Sequence, residues 1–265
     1  MEAHIYIMRL LFVRHGDPDY QNDSLTPDGD EEAKLLAASL QKEDITSFYV
    51  SPLGRAARTA SFTLERMGRQ AQVLDWLREF PAKLDVNGSA ELVNAYPDTE
   101  MNEEGVYGSR IVWDQMPSAM SRHSEYYSQD GWESSEVAVR SDITEVYRYV
   151  TSSMDDLLAQ HGYRREGRIY RCDQGNHDTL IFFAHLGIIS VFLSHFWNVS
   201  PFVVWHGICL APTSVTEVFT EEREKGYVSF RARRIGDISH LTDAGREPSF
   251  QARFCECYED TDRRH

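Results

Sequence analysis

Short apolar runs alternate with segments of helical period along this chain, and this alternation restricts the possible folds more than any other feature. Residues 10–13, 48–50 and 180–184 are nearly continuous apolar or aromatic runs, as expected for strands buried on both faces. Each run is followed by a turn and then by apolar residues at helical spacing. The alternation predicts an α/β fold, a three-layer αβα sandwich with a mainly parallel central sheet.

The other predicted elements complete this pattern. Apolar positions at helical spacing predict helices over residues 33–40, 56–67, 143–158 and 188–196. Residues 72–74 are a weaker strand, and residues 215–219 and 227–230 alternate like a β-hairpin. The stretch 80–131 fits the rhythm poorly, and we interpret it as an insertion that caps the sheet of a single domain spanning residues 1–265. The charged segment 256–265 is predicted to be a frayed tail.

The charge balance limits the partners of the chain. With 27 Lys and Arg against 42 Asp and Glu, its formal net charge is -15, which argues against binding to nucleic acid or to an anionic membrane. An anionic substrate therefore has to be captured by local positive charge. No apolar stretch approaches the length of a transmembrane helix, and four scattered cysteines are too few for a disulfide framework. We expect a cytoplasmic protein, and the sequence leaves its oligomeric state open.

Charged residues follow the predicted strands directly. Arg14-His15-Gly16 comes after the first strand, Arg55 lies shortly after the second, and His185 follows the run 180–184. In open α/β sheets, ligands bind outside the carboxyl ends of the strands. Arginine presents a planar fork of donors that matches phosphate oxygens. If these strands are parallel neighbours, the sequence predicts a phosphate pocket in an otherwise acidic protein.

The same residues carry a family resemblance. Residues 11–16, Leu-Phe-Val-Arg-His-Gly, resemble the signature of the histidine phosphatase superfamily, which includes the cofactor-dependent phosphoglycerate mutases. Further segments resemble later motifs of that family in the same order, at residues 25–29, 51–60, 184–187, 214–216 and 236–241. One Arg-His-Gly alone is a weak signal, but several motifs in order are not expected by chance. The resemblance runs from residue 10 to about residue 241, and the predicted insertion is its least matched part.

The resemblance implies a role for each residue of the predicted pocket. His15 would be the nucleophile, attacking phosphorus as a neutral imidazole while a backbone carbonyl holds its other ring nitrogen. Arg14, Arg55 and His185 would hold the three non-bridging oxygens and stabilise the charge of the transition state. Gly16 would let the backbone turn sharply and approach the phosphate.

The proton donor is assigned less directly. Glu79 follows the third strand, where the family has its acid, and Glu91 in the insertion is the competing carboxylate. The acid would protonate the leaving oxygen and then take a proton from water, which calls for a raised pKa. The resemblance implies that no metal ion and no cofactor is needed.

Two departures from the family pattern bear on activity. Arg58 stands where the family often has Gln, so it either lines the pocket or lies on a solvated helix face. The loop of residues 17–23 is short and acidic, whereas mutases carry a longer loop with Asn and Trp. The implied function is a metal-independent phosphatase that hydrolyses phosphomonoesters of a small phosphorylated metabolite through phosphohistidine. The alternatives are a phosphoglycerate mutase-type phosphotransferase and a catalytically inactive protein that binds a phosphate ligand.

Two further interpretations concern residues outside the pocket. His240, in the tail motif, is expected to be a buried structural histidine. Trp113, Tyr126, Tyr127 and Trp132 are expected to form the core of the insertion rather than a platform for substrate.

Overall fold

The chain divides into two compact units. The computed structural model describes residues 7–96, 99–249, 256–257 and 260–264. The first unit comprises Met1–Glu79, Asp155–Ile189 and Ile208–His265, and the second comprises Phe80–Met154 and Ser190–Gly207. The second unit begins where the predicted insertion begins and contains the whole stretch 80–131. The organisation as a single domain with an inserted cap stays a prediction.

The helices and strands follow one another along the chain as a mixed α/β sequence. The strands are β1 (Arg9–Arg14), β2 (Pro18–Asp19), β3 (Ser24–Leu25), β4 (Ser47–Val50), β5 (Gln72–Val73), β6 (Lys83–Leu84), β7 (Arg110–Ile111), β8 (Arg164–Glu166), β9 (Ile169–Arg171), β10 (Thr179–Ala184), β11 (Val215–Glu224), β12 (Tyr227–Asp237), β13 (Glu256–Cys257) and β14 (Asp260–Arg264). The helices are α1 (Pro27–Leu40), α2 (Gly54–Met67), α3 (Ala90–Ala95), α4 (Pro117–Met120), α5 (Glu136–Val139), α6 (Ile143–Gln160), α7 (Leu186–Trp197), α8 (Pro201–Gly207) and α9 (Ser239–Thr242).

One eight-stranded sheet organises the first unit, in the order β5-β4-β10-β1-β11-β12-β9-β8. From β5 to β1 the neighbouring strands pair in parallel. From β1 to β8 they pair antiparallel, so the predicted hairpin is β11 with β12. The predicted α/β class with surrounding helices is confirmed, and the predicted parallel pairing holds for the four strands from β5 to β1, whereas the strands beyond β1 pair antiparallel.

One face of this sheet packs on α1 and α2. Leu11 and Val13 of β1 and Phe183 of β10 lie in one buried cluster with Leu36 of α1 and Ala60 of α2. Burying a side chain of the size of Leu or Phe contributes about 1.5–3 kcal/mol, so this cluster fixes both helices on the sheet. Because alternate residues of β1 also fill the opposite face, the strand reads as one continuous apolar run.

The second unit is held together by aromatic residues. Its interior contains rings whose centroids lie 4.7–6.2 Å from their neighbours, namely Phe80, Trp113, Trp205, Phe202, Tyr126 and Trp132. Tyr126 and Trp132 are buried, which confirms the predicted core role of these two residues. The predicted core role is wrong for Tyr127, the last residue of a short 3₁₀ turn, because more than half of its surface is exposed to solvent.

The segment that is predicted to be a frayed tail contains two strands. Here β13 and β14 form an antiparallel pair, and residues 258, 259 and 265 lie outside the described part of the chain.

Among the described residues, no helix combines the length and apolar character that crossing a membrane requires.

Candidate active site

The predicted site residues follow the carboxyl ends of three neighbouring strands. β1, β10 and β4 are neighbours in parallel register. The amide of His15 donates to the carbonyl of Ala184 at 3.0 Å, and the amide of Ser51 donates to the carbonyl of Phe183 at 3.0 Å. The segments that begin with His15, Ser51 and His185 therefore leave the sheet side by side, as the carboxyl ends of parallel strands do.

His15 is buried and held in one orientation. Its Nδ1 atom lies 2.8 Å from the carbonyl oxygen of Gly16. Because a carbonyl oxygen only accepts hydrogen bonds, Nδ1 carries the proton and Nε2 carries the free lone pair. Burial lowers the pKa of His15 well below its ordinary value, and the charges of Arg14 and Arg55 lower it further. His15 is thus a neutral imidazole at pH 7, and the predicted backbone carbonyl at its second nitrogen is confirmed.

Arg14 lies beside His15 with its guanidinium enclosed by protein. The side chain is buried, and its Nη1 donates to the carbonyl of Leu210. Burial lowers the pKa of Arg14, while the nearby charges of Tyr20 and Glu79 act in the opposite direction. A guanidinium stays charged under such conditions, so the site contains a fixed positive charge in a poorly solvated place.

Arg55 reaches the site from the first turn of α2. Its Nη1 donates to a carboxylate oxygen of Asp23 at 2.7 Å, and the second oxygen of Asp23 accepts from the amide of Gly54 at 2.6 Å. The ring of Tyr20 has its centroid 5.5 Å from the Arg55 guanidinium. The loop between β2 and β3 therefore orients Arg55. The buried Nε of Arg55 has no hydrogen-bond partner among the described residues, so the guanidinium retains donor capacity.

His185 faces His15 across the site. The ring centroids of the two histidines are 5.1 Å apart. The Nε2 atom of His185 lies 2.8 Å from the hydroxyl oxygen of Ser51, whereas its buried Nδ1 has no hydrogen-bond partner among the described residues. Burial lowers the pKa of His185 well below its ordinary value, and the charges of His15, Arg55 and Arg14 add to this. His185 is therefore neutral as well, with one nitrogen left for a ligand.

Glu79 joins this group within the first unit, to which Glu91 does not belong. A carboxylate oxygen of Glu79 accepts from the amide of Ile188 at 3.2 Å, in the first turn of the helix that follows His185. Its charge also acts on Arg14. Glu91 lies in the second unit, where its carboxylate is 2.8 Å from Nε2 of His123. Glu79 therefore lies beside the predicted phosphate-binding residues of its own unit.

Arg58 lies on the solvated face of α2. Its side chain is exposed, forms two hydrogen bonds of 2.9 and 2.6 Å to the carboxylate of Asp30, and stacks on Phe62. Asp30 satisfies this guanidinium outside the site. The possible pocket role of Arg58 is therefore not supported, and the alternative of a solvated helix face describes it.

Gly16 serves the site through packing. Its amide donates to the hydroxyl of Thr59 at 3.0 Å, so that donor already has a partner. A Cβ atom at this position would lie 2.9 Å from the carbonyl oxygen of Gly29. The phosphate-binding role of Gly16 stays a prediction. The residue must be glycine because the loop after β1 runs close against the start of α1.

Thr213 supports His15 from behind, and the sequence gives no sign of it. Its amide donates to the carbonyl of His15 at 3.2 Å, and its φ of 56° is unusual for a β-branched residue. Its hydroxyl donates to the carbonyl of Pro212 at 2.7 Å and accepts from Nε2 of His240 at 2.9 Å. Burial lowers the pKa of His240 to about 4, so this histidine is neutral. The expected structural role of His240 is confirmed, and it acts behind the nucleophile.

The assembled group suits a tetrahedral dianion. The guanidinium groups of Arg14 and Arg55 supply positive charge. The neutral imidazole of His185 supplies a free ring nitrogen, and that of His15 supplies a lone pair. Within the described ranges, His, Cys, Asp and Glu residues form no group of three that could hold a metal ion. Nitrogen donors with fixed positive charge are the groups that suit a phosphate.

Comparison with known proteins agrees with this geometry. Residues 10–108 match the sequence model of the histidine phosphatase superfamily (branch 1). A curated relative, the probable phosphoglycerate mutase GpmB of Serratia proteamaculans (strain 568), is 35% identical over 71 residues. That match covers 23% of this chain and 33% of the relative, so the chain spans about a third of the length of the relative.

Solved structures show the same fold. A mycobacterial glucosyl-3-phosphoglycerate phosphatase in complex with inorganic phosphate has a TM-score of 0.55 at 18% identity, covering 88% of this chain and 99% of the other. The phosphoserine phosphatase of Entamoeba histolytica in complex with 3-phosphoglyceric acid has a TM-score of 0.52 at 17% identity, also covering 88% and 99%. At such identities the likeness concerns the fold alone.

Proposed function

We propose, on the premise of the match of residues 10–108 to the sequence model of the histidine phosphatase superfamily (branch 1), that the protein is a metal-independent phosphatase. It hydrolyses a phosphomonoester of a small metabolite, and the phosphoryl group passes through a covalent intermediate on His15. The observation that carries this proposal is the state of His15. It is a buried neutral imidazole with one nitrogen held by a carbonyl and the other carrying a lone pair beside two arginines.

In the first step, Nε2 of His15 attacks phosphorus. The N–P bond forms as the bond to the leaving oxygen breaks, and Glu79 gives its proton to that oxygen, releasing an alcohol. Arg14, Arg55 and the free nitrogen of His185 hold the non-bridging oxygens, where transition-state charge resides. Losing one such donor typically costs about 10²–10³ in turnover.

In the second step, water attacks the phosphorus of phosphohistidine. Glu79, now a carboxylate, takes the proton of that water, the N–P bond breaks, and inorganic phosphate leaves with the lone pair restored to His15. Buried arginine charge supplies the electrostatic stabilisation, so no divalent cation is invoked. The hydrogen bond from Ile188 keeps Glu79 at the site through both steps.

The substrate class rests on similarity and on the loop that follows His15. The two phosphatases of similar fold are named for a glucosylated phosphoglycerate and for phosphoserine, both small phosphomonoesters. The tip of the loop is occupied by Asp23, which engages Arg55, and by the exposed Tyr20. The loop is short and acidic, in contrast to the longer mutase loop with its Asn and Trp residues, and this difference favours hydrolysis over transfer to a second substrate.

A mutase is the second candidate because the curated relative is named a probable phosphoglycerate mutase. The two activities are separated by incubating the protein with 3-phosphoglycerate and following both products by phosphorus NMR. A phosphatase releases inorganic phosphate, whereas a mutase accumulates 2-phosphoglycerate without phosphate release. If phosphate is released from neither this compound nor a panel of small phosphomonoesters, the hydrolase proposal fails.

The covalent intermediate is tested by rapid quench with a ³²P-labelled phosphomonoester. We expect acid-labile, base-stable label on the wild type and none on His15→Ala, whose turnover should fall by at least about 10³ because no other group offers a lone pair there. His161→Gln is the matched control, since His161 pairs with Asp178 at the start of β10, at the opposite edge of the sheet. Normal turnover by His15→Ala contradicts the mechanism.

A further inference from the structure

Ser51 and His185 form a hydrogen-bonded pair that is fully enclosed in the first unit. Both residues are 0% exposed, and the Ser51 hydroxyl oxygen lies 2.8 Å from Nε2 of His185. The amide of Ser51 is tied to Phe183 in β10, directly before the segment that carries His185. The hydroxyl is therefore fixed relative to the imidazole, with no water needed between them.

The hydrogen bonds around the Ser51 hydroxyl determine where its proton goes. The amide of Leu53 donates to the same oxygen at 3.2 Å. An amide cannot accept a hydrogen bond, so of these two neighbours only Nε2 of His185 can receive the hydroxyl proton. An arrangement that uses every group has the hydroxyl donating to a lone pair on Nε2. The single proton of the neutral imidazole then resides on Nδ1.

We propose that Ser51 is a positioning residue that holds His185 as the tautomer with its proton on Nδ1, so that this buried N–H donates to a phosphoryl oxygen. The inference rests on the proposed function and extends it to a residue that does not itself touch the phosphate. In the opposite tautomer, a lone pair on Nδ1 would face an anionic oxygen and repel it. Tautomer choice therefore decides whether His185 stabilises or destabilises the transition state.

The two histidines of the site thus have complementary protonation. A carbonyl acceptor, Gly16, places the proton of His15 on Nδ1 and leaves Nε2 as the nucleophile. The hydroxyl of Ser51 donates to the lone pair on Nε2 of His185, so the proton of this imidazole resides on Nδ1, which becomes the donor. The two ring centroids are only 5.1 Å apart, but both imidazoles are neutral. Neither ring therefore carries a charge that could favour the required tautomer of the other.

The direct test is ¹⁵N NMR of histidine side chains in the wild-type protein, which distinguishes protonated from unprotonated ring nitrogens. We expect both His15 and His185 to carry the proton on Nδ1, and the Nδ1 proton of His185 to shift when inorganic phosphate is added. His185 protonated on Nε2 in the wild type overturns the proposal, whatever the variants do.

The kinetic test uses Ser51→Ala. Its kcat should fall about tenfold to hundredfold with a smaller change in KM, because the donor to the transition state is lost in part of the population. Ser200→Ala is the matched control, because its buried hydroxyl likewise accepts from an amide two residues on, that of Phe202, without a histidine. Ser51→Thr keeps the hydroxyl and should restore most of the activity.

A double-mutant cycle shows whether Ser51 acts through His185. In a His185→Ala background, Ser51→Ala should cost less than about twofold. An undiminished cost there, or full activity of Ser51→Ala alone, refutes the positioning role while leaving the proposed function intact. Absence of hydrolysis and phosphohistidine in the wild type refutes the proposed function, and the catalytic part of this inference with it.

Discussion

Replacing Glu217 by glutamine removes a negative charge that β11 buries among three arginines. The Glu217 carboxylate is only 1% exposed and accepts from Nε of Arg9 at 2.8 Å and from Nε of Arg234 at 2.9 Å. Nη2 of Arg233 lies 3.1 Å from Oε1 of Glu217. The side chain of glutamine has nearly the same shape, but one of the two accepting oxygens becomes an NH2 group, a donor that faces arginine donors. The variant thus isolates the contribution of the charge at constant packing.

The cost is limited by the exposure of the arginines. Removing one partner from a fully buried ion pair costs about 3–5 kcal/mol, mostly because the remaining charge stays dry. Here Arg9, Arg234 and Arg233 are 25%, 38% and 63% exposed, so water can solvate them after the substitution. What remains is the loss of charge-assisted hydrogen bonds. We therefore expect the free energy of unfolding to fall by about 2–3 kcal/mol.

Urea denaturation at pH 7, followed by circular dichroism, measures this change as a lower midpoint at unchanged slope. Glu221→Gln is the control on the same strand, since Glu221 pairs with the exposed Arg231. That substitution should cost less than about 1 kcal/mol. If Glu217→Gln is as harmless as the control, the arginine cluster does not stabilise the sheet and the reasoning is wrong.

The difference should also depend on pH. Burial alone raises the pKa of Glu217, but the hydrogen bond and charge of Arg9 and the charges of Arg234 and Arg233 outweigh it and lower the pKa overall. A carboxylate with a lowered pKa stabilises the fold above its ordinary pKa of about 4.3, and this contribution is lost as the pH falls through the folded value. The stability gap between wild type and Glu217→Gln should therefore be full at neutral pH and shrink below about pH 4.

Three further outcomes are expected. Activity should persist in excess EDTA and should not require added magnesium, and loss on chelation that a divalent ion reverses would contradict the proposed phosphatase class. Gly54→Ala should lose about 1–3 kcal/mol of stability and much of its turnover, because a Cβ there would lie 2.0 Å from the Asp23 carbonyl oxygen. Gly108→Ala, with open space around it, should behave as wild type. The hydrogen bond to Glu91 raises the pKa of His123, so this pair stabilises the fold at low pH. That contribution, below about 1 kcal/mol for so exposed a pair, should fade as the pH rises above about 6.5, and thermal melts of His123→Gln should lack it.

The elements of the sheet were predictable because their signals are local. A strand buried on both faces needs a continuous apolar run, so β1 and β10 are visible in the sequence without any knowledge of their neighbours. α1 and α2 show the helical spacing of residues that pack on that sheet. β8 and β9 were missed because each is only three residues long. β8 is polar and forms the sheet edge, and β9 buries a single side chain, Tyr170, so neither shows a burial pattern.

The choice between similar residues was not predictable in this way. Arg55 and Arg58 lie one turn apart on α2, and the sequence does not distinguish them. Arg58 lies at the surface because it forms hydrogen bonds to Asp30 of α1, which packs beside α2. Glu79 and Glu91 are both plausible acids by chemistry. The start of α7 supplies the amide that holds one of them at the site.

The sequence by itself therefore determined which chemical groups this protein can bring to a phosphate, since residue type and position after a buried strand are local properties. Only the tertiary structure decided their states. His15 is neutral because distant segments bury it, and its proton lies on Nδ1 because the backbone turns a carbonyl toward it. The backbone conformation of Thr213 and the hydroxyl of Ser51 matter because residues far apart in sequence meet there. Proton positions and pKa values depend on the surrounding charges and dielectric, and these exist only once the chain has folded.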